Sequence, residues 1–524
     1  MRKKRVKKFI APLIALFVIL TAAPIISGAA SKVNGKSIVT NNIHDNDYSA
    51  RKRVADSYVV DNGNSTFSRV ENMGDIILVE TYNSGLTLLG QSFIGMELPV
   101  FGGFWGGARY NYVIFGRDNP GHDDDLEVLR LVRFDKSWNR LGSTSVYGGN
   151  TAFPFYGCNT DFSEYGDTVY VRMGHMTYGG QQAVMTMAAR TTDNALIQLQ
   201  CDVSGLSYGA YADSAATFID ACDGEVSTLD HCLGTPHAVE FGKYTAPAGG
   251  NFVSWCYTAD ALPLRGVPGS NTPGTSIGGY EVSSQYRLAI GVTDSYDGSS
   301  PNRNIFIATV PKSSYYTDEV RIAYATGYAY GDLESAMTPY VVKLNMDQFV
   351  VIWENRSGYA ETEKVNWVFI NGSGQLTSQV YSMTGCLSDC QPILFNGKIV
   401  WYTTNAANCT VYSFSAANSG VAPSYSARQA IVNRGTDYSK VYDFAYYINR
   451  YPDMRVLYGN NPSGALQHFV SNGMAEGRQG CENFNPIAYK NNYADLRNAF
   501  GNDWKQYYMH FINYGYAEGR NARR

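Results

Sequence analysis

The chain has 524 residues, of which 44% are hydrophobic and 17% charged, with 46 acidic side chains against 42 basic. That apolar content excludes global disorder. With 52 Gly and 40 Tyr at so low a charge density, the composition also excludes a coiled coil, a collagen and a polytopic membrane protein, and it reads as a β-rich extracellular chain.

The first eight residues hold Arg2, Lys3, Lys4, Arg5, Lys7 and Lys8, and an uncharged stretch runs from Phe9 to Ile26 before Ser27-Gly28-Ala29-Ala30. A basic start, an apolar middle and small residues at a cut are the three parts of a secretory signal peptide, here 1–30. A membrane anchor is the competing reading, because 18 uncharged residues nearly span a bilayer. Pro12, Pro24 and the small-residue end favour cleavage. The six basic residues leave with the peptide, so a net charge of −4 becomes −10. The expected mature protein is secreted or extracellular, associated with the cell wall, and without a membrane span. Its acidity argues against a nucleic-acid partner, whose phosphates require a basic footprint.

Residues 31–60 are polar and aperiodic and read as an N-terminal leader or loop. From 61 to 418 short β segments alternate with Gly, Asn, Asp and Pro. Turn pairs precede apolar runs at Gly74-Asp75, Gly166-Asp167, Asp223-Gly224, Met346-Asp347 and Asn396-Gly397, with weaker starts near Tyr110 and Gln285. These starts span 322 residues over six intervals, or about 54 each, which suits a four-stranded sheet repeated around an axis. Tyr82-Asn83, Phe134-Asp135 and Ile370-Asn371 each precede a Leu by a similar distance and predict an outer hairpin. The fold class is therefore mainly β, a six- or seven-bladed β-propeller followed by a small all-α repeat domain. A pair of β-sandwiches is the alternative.

Residues 419–440 read as a linker, and 441–524 as two 42-residue helical repeats. Tyr451-Pro-Asp453-Met-Arg455 returns as Tyr493-Ala-Asp495-Leu-Arg497, His468-Phe469 as His510-Phe511, and Gly473-Met-Ala-Glu476-Gly-Arg478 as Gly515-Tyr-Ala-Glu518-Gly-Arg520. Asn485-Pro486 predicts a helix N-cap followed by Pro in the first turn. Nine Cys cannot all pair internally and read as structural thiols or one or two disulfides. Cys386 and Cys390 are spaced like half of a zinc site but have no partner close in sequence, and neither metal nor cofactor is expected.

The tail resembles a bacterial helical repeat with the pattern Tyr-Pro-Asp-Leu, Phe-Gly, His-Phe, Gly-x-x-Glu-Gly-Arg; Ala494 and Tyr458 depart from it. Such repeats are appended to exported and wall-associated proteins of Gram-positive gut-type bacteria. The larger part, including Glu97-Leu-Pro-Val-Phe-Gly-Gly-Phe-Trp105 and Phe134-Asp-Lys-Ser-Trp138, resembles an uncharacterised family of secreted propeller-like proteins from the same bacteria. That likeness implies the fold and no reaction.

Aligning the strand starts brings Arg117-Asp118, His175, Asp230-His231, Glu354-Asn355 and Asn405 to equivalent strand ends. The expectation is a ring of these side chains around one mouth of the channel, binding a ligand; ordinary strand-to-turn polarity is the bland alternative. Gly121-His122-Asp123-Asp124-Asp125 reads as a solvated turn, because it lacks the alternating spacing of a calcium loop. No phosphate loop, nucleotide fingerprint, HExxH, nucleophile elbow or sialidase turn repeat occurs, and no catalytic residue is assigned. The functional expectation is a cell-envelope-associated binding protein. Its propeller face would hold a glycan, a cell-wall polymer or a surface protein, and its helical repeats would mediate attachment or assembly. A propeller carbohydrate-active enzyme is the alternative.

Overall fold

The computed structural model describes residues 29–32, 38, 40–42, 52–201, 214–234, 237–245, 254–264, 274–294, 302–314, 319–328, 332–357, 360–405, 408–417, 432–433, 436–458 and 462–523. The expected signal peptide up to residue 28 and most of the expected linker lie outside these residues. Seven antiparallel sheets of four or five strands follow one another along the chain as a seven-bladed β-propeller. The innermost strands are Ser57–Asp61, Val100–Gly106, Thr160–Tyr165, Ser214–Cys222, Ser276–Val282, Tyr340–Asn345 and Ile393–Phe395. The strands paired with them are Thr66–Asn72, Asn111–Gly116, Thr168–Thr177, Glu225–Cys232, Tyr286–Thr293, Gln348–Ser357 and Lys398–Asn405.

Turn chemistry explains the period seen in the sequence. Asp223-Gly224 and Asn396-Gly397 both adopt positive φ and join a first strand to a second, as the tightest hairpins require. Gly74-Asp75 falls one strand later, between the second and third strands of the first blade. The outer hairpins share one device. Asn83 Oδ1 accepts from the backbone N–H of Gly85 and Thr87, Asp135 Oδ1 from Ser137 and Asn139, and Asn371 Oδ1 from Ser373 and Gln375. The residue three after each, Leu86, Trp138 and Gly374, takes positive φ. A short side chain thus replaces the missing ladder partners of the turn.

Blade stacking explains why second strands read as unbroken apolar runs. Phe349, Val351 and Trp353 pack toward the fifth blade with Leu288 and Ile290, whereas Val350 and Ile352 face Trp401 and Phe414 of the seventh. A strand buried on both faces has no polar side to alternate with. Each of the seven interfaces carries such a cluster. The smallest joins the third and fourth blades and holds Tyr170, Ala188, Ile219, Ala221 and Tyr244 as its buried members.

The N-terminal part is built into the ring. Ala29–Lys32 pairs with Asn408–Ser415 as the outermost strand of the last blade, and Ser57–Val60 opens the first blade. The expected cut after Ala30 leaves Ser31 and Lys32 of that outer strand. Between these strands the chain ties the first and last blades. Arg69 pairs with Glu71 and Glu80 and donates to Ile38 O at 2.8 Å, while Thr40 Oγ1 donates to Glu71. Asn42 donates to Ser57 Oγ at 3.0 Å and accepts the backbone N–H of Thr404 at 2.7 Å.

In the tail, three seven-residue helices occur per copy: Phe444–Arg450, Pro452–Tyr458 and Pro462–His468, then Pro486–Asn492, Ala494–Phe500 and Trp504–His510. The recurring motif residues meet one another. Asp453 and Glu476 pair with Arg478 as Asp495 and Glu518 pair with Arg520, and Tyr447 bonds His468 as Tyr489 bonds His510. Asn485 caps its helix through Ile487 and Ala488. Tyr508 from the second copy joins Phe469 of the first in one core.

Asn42→Ala is expected to lower the unfolding free energy by about 1–3 kcal/mol, because it strands the Thr404 N–H in a buried seam. Urea denaturation followed by tryptophan fluorescence measures this.

Candidate functional site

The inner strands of all seven blades surround a cavity of about 820 Å³ along the propeller axis. A ligand-sized space of this kind is where a propeller can hold a small molecule. The segment Lys52–Asp56 crosses the end where the inner strands begin. Lys52 N–H donates to Ala215 O at 2.7 Å in the fourth blade, and Asp56 N–H donates to Asp389 Oδ2 at 2.8 Å beside the seventh. Close backbone approach shapes the wall: a Cβ on Gly278 would lie 1.7 Å from Pro339 O, so only glycine fits there.

Polar side chains of one inner strand bond the backbone of the next. Asn159 Oδ1 accepts from Thr217 N–H at 3.0 Å, Asp161 Oδ2 from Ile219 N–H at 2.8 Å, and Asp220 Oδ2 from Val282 N–H at 3.0 Å. This satisfies inner-strand N–H groups that have no sheet neighbour on the axial side. It also places charge in the channel. Lys343 Nζ donates to Val282 O at 2.6 Å and lies 3.5 Å from Asp220 and 3.7 Å from Glu281. Lys52 Nζ donates to Gly278 O at 2.9 Å, with the Phe218 ring at 4.9 Å and the Tyr340 ring at 5.8 Å.

These groups keep part of their surface open to the cavity, but the ring encloses them and strips most of their water. Burial pushes the Asp161 carboxyl up to about 7, against the pull of the Ile219 N–H and Lys52. Burial, reinforced by the Asp220 charge, pushes Glu281 up to about 8 against the pull of Lys343. Burial brings Lys52 down to about 8 despite the attraction of Asp161. For Lys343, Asp220 and Glu281 outweigh burial and hold the ammonium above its usual range. Among the described residues, no three His, Cys, Asp or Glu side chains are grouped to hold a metal ion.

The residues singled out from the sequence lie elsewhere. They do sit at the ends of second strands or just beyond them, on one side of the disc, but none lines the channel cavity. Second strands stand one layer out from the axis, so their ends face neighbouring blades. His175 is buried and bonds Thr151 Oγ1 through Nδ1 at 2.9 Å; burial holds its imidazole down to about 4. Asp230 pairs with Arg172 Nη2 at 2.7 Å and accepts from Thr217 Oγ1 at 2.6 Å, and His231 beside it is fully buried. Glu354 accepts the Leu387 N–H at 2.8 Å, and Asn355 accepts from Trp353 Nε1 at 3.1 Å. Arg117 and Asp118 follow the second strand of the second blade, where Arg117 is half-buried and Asp118 exposed. Asn405 is exposed in a hairpin turn, accepting from Asn408 N–H at 3.0 Å.

Asp230 in particular belongs to the polar seam that supplements the small hydrophobic cluster between the third and fourth blades. There Arg172 also reaches Thr186 Oγ1 at 2.7 Å and Tyr244 OH at 2.9 Å. The channel residues were missed because Asp161, Asp220 and Glu281 sit in first strands, where the turn-anchored alignment did not look. A polar residue inside an otherwise apolar first strand was the available signal. His122 stacks on Tyr178 at 4.6 Å, and Tyr178 OH donates to Asp124 at 3.0 Å, so the acidic loop is tied to the hairpin of the next blade. Among the described residues, Cys222, Cys390, Cys409 and Cys481 are free thiols, and burial pushes Cys222 and Cys409 up to about 11.

The fold and cavity define a seven-bladed propeller with a charged axial channel. No family model and no curated protein matches the chain. Solved structures similar to it include an oligogalacturonate lyase from Vibrio parahaemolyticus, at 7% identity over 75% of this chain and 94% of that one, with a TM-score of 0.39. A subtype N10 neuraminidase-like protein of A/little yellow-shouldered bat/Guatemala/060/2010 is 8% identical over 66% of this chain and 98% of that one, with a TM-score of 0.37. A prolyl endopeptidase is 12% identical over 65% of this chain, which spans 42% of that enzyme's length, with a TM-score of 0.35.

Two outcomes are expected. Asp230→Ala lowers the unfolding free energy by about 3–5 kcal/mol, because it leaves buried Arg172 without its counter-charge; chemical denaturation checks this. The pH dependence is the second. Asp161 and Glu281 start from ordinary values of 3.8 and 4.5, so the folded state holds protons that the unfolded chain has lost. Their contribution to stability is complete below about pH 4 and is lost as pH rises to about 8. Lys52, lowered from 10.5 to about 8, adds a recovery of stability between those values. Subtracting the Tm-versus-pH curve of the Asp161→Asn/Glu281→Gln variant from that of wild type is expected to show the fall between pH 4 and 8.

Proposed function

We propose that this chain is an exported, envelope-associated binding protein whose channel holds a glycan segment bearing free amino groups. The lining of the channel carries this reading. Asp56, Asp161, Asp220, Glu281 and Asp389 stand against Lys52, Arg53 and Lys343, an excess of carboxylates in an enclosed space. Asp161 and Glu281 are held near neutrality by desolvation, and a ligand ammonium beside them restores their charged forms. Tyr58, Phe104, Trp105, Phe218 and Tyr340 also line the cavity, and sugar rings stack on such faces. Export is supported by the basic and apolar start of the chain, and attachment or assembly by the likeness of its tail to repeats of wall-associated proteins.

A second reading, a carbohydrate-active enzyme, is favoured by Glu281. A carboxyl titrating at about 8 stays protonated at neutral pH and is suited to donate a proton to a leaving oxygen.

Titration calorimetry with chitosan oligomers and with their N-acetylated counterparts tests the proposal. The deacetylated oligomers are expected to bind and the acetylated ones to bind at least about ten-fold more weakly, as loss of a charge-assisted hydrogen bond implies. No binding of either overturns the reading, and release of new reducing ends transfers the site to the enzyme reading. A chain ending at residue 418 is expected to lose co-sedimentation with purified cell walls that the full chain shows; equal sedimentation removes the tail's attachment role.

A further inference from the structure

The groups around the Lys52 side chain come from four different blades. Asp161 belongs to the inner strand of the third, Phe218 to that of the fourth, Gly278 to that of the fifth and Tyr340 to that of the sixth. Each offers something an ammonium group takes. Gly278 O accepts a hydrogen bond at 2.9 Å, the Phe218 and Tyr340 rings stand at 4.9 and 5.8 Å, and the Asp161 charge attracts it. The pieces are held in place independently of the lysine. Tyr340 OH donates to Ser388 O at 2.6 Å, Asp161 accepts the Ile219 N–H, and Gly278 is fixed by its close approach to Pro339.

The lysine, by contrast, is not required by the strand geometry. Its backbone N–H already anchors the crossing segment on Ala215 O, and the segment continues to Asp56 on Asp389. An uncharged side chain would serve that crossing without the desolvation that draws the ammonium down to about 8. The same recognition appears a second time in the channel. Lys343 donates to a carbonyl of the preceding blade, Val282 O, and faces Asp220 and Glu281.

We propose that Asp161, Phe218, Gly278 and Tyr340 form a binding subsite for a primary ammonium group, and that Lys52 occupies it as a stand-in for the ligand's amine. This inference rests on the channel-binding reading and deepens it. The subsite selects an unsubstituted amine on a slender stem, because the rings flank the ammonium while the carbonyl takes one of its protons. A ligand amine enters when the Lys52–Asp56 segment withdraws its side chain, so ligand and lysine compete for one place.

The test uses n-butylamine, which matches the lysine stem, with n-butanol as its neutral control, added to wild-type protein and to Lys52→Ala. Lys52→Ala is expected to bind the amine about ten-fold or more tightly than the alcohol, with a matching rise in Tm, while wild type responds little to either. Adding Asp161→Asn to Lys52→Ala is expected to remove the preference for the amine. If Lys52→Ala does not fold unaided, its refolding yield in amine against alcohol replaces the titration, with the same order expected. An equal response to amine and alcohol in the readout used overturns the subsite. The chitosan titration fails independently: amine rescue without oligomer binding keeps the subsite and removes the glycan, and oligomer binding without amine rescue does the reverse.

Discussion

Every blade of this propeller buries both of its faces against its neighbours. A single four-stranded sheet such as Gln348–Ser357 with its partners presents Val351 and Trp353 to one side and Val350 and Ile352 to the other. Such a sheet has no solvent face on which to rest, so the arrangement is satisfied only when the ring closes. Closure falls on the first and last blades. There the chain adds an outermost strand from its N-terminal part and lays a polar segment across the seam, where Arg69, Glu71, Thr40 and Asn42 are bonded to one another or to the flanking strands. The seam between the third and fourth blades also departs from purely hydrophobic packing. Its small apolar cluster is supplemented by Arg172, Asp230, Thr217 and Tyr244, an ionic group bonded across the two sheets.

Ring closure also creates the channel and its chemistry. Inner strands lack a sheet neighbour on the axial side, and side chains of one blade therefore reach the backbone of the next. Aspartates used this way are fixed in position and poorly hydrated. The channel consequently holds carboxylates near neutrality beside two lysines, one strongly paired and one desolvated. Asp161 and Asp220 meet two requirements at once, satisfying the inner-strand backbone and placing carboxyl groups in an enclosed space.

The tail obeys a different logic. Its helices are only seven residues long, too short to be stable alone in water. They are held by aromatic packing and by contacts that repeat at a spacing of 42 residues, as when Arg478 binds Asp453 and Glu476, and Arg520 binds Asp495 and Glu518. The residues that made the repeat visible are those that bond to each other.

The amino-acid sequence alone determined the β-rich class, the period near 54 and the equivalence of the second strands in every blade but the first, where Gly74-Asp75 marks the third strand, because these rest on local turn chemistry. An Asp-Gly or Asn-Gly pair at positive φ, or an Asn accepting two backbone N–H groups, marks a hairpin wherever it occurs. It determined the tail repeat because the recurring residues bond to each other within each copy. It did not reveal how many blades close the ring, that residues 29–32, 38 and 40–42 bond to the last and first blades, or which strand layer faces the axis. Those depend on contacts between residues hundreds of positions apart, such as Asn42 with Thr404. His175, Asp230 and Glu354 all lie toward the ends of second strands, yet position along the chain carries no radius. Only the tertiary structure placed them between blades and put Asp161, Asp220, Glu281, Lys343 and Lys52 around the axis, where a shared low-dielectric space makes their charges act together.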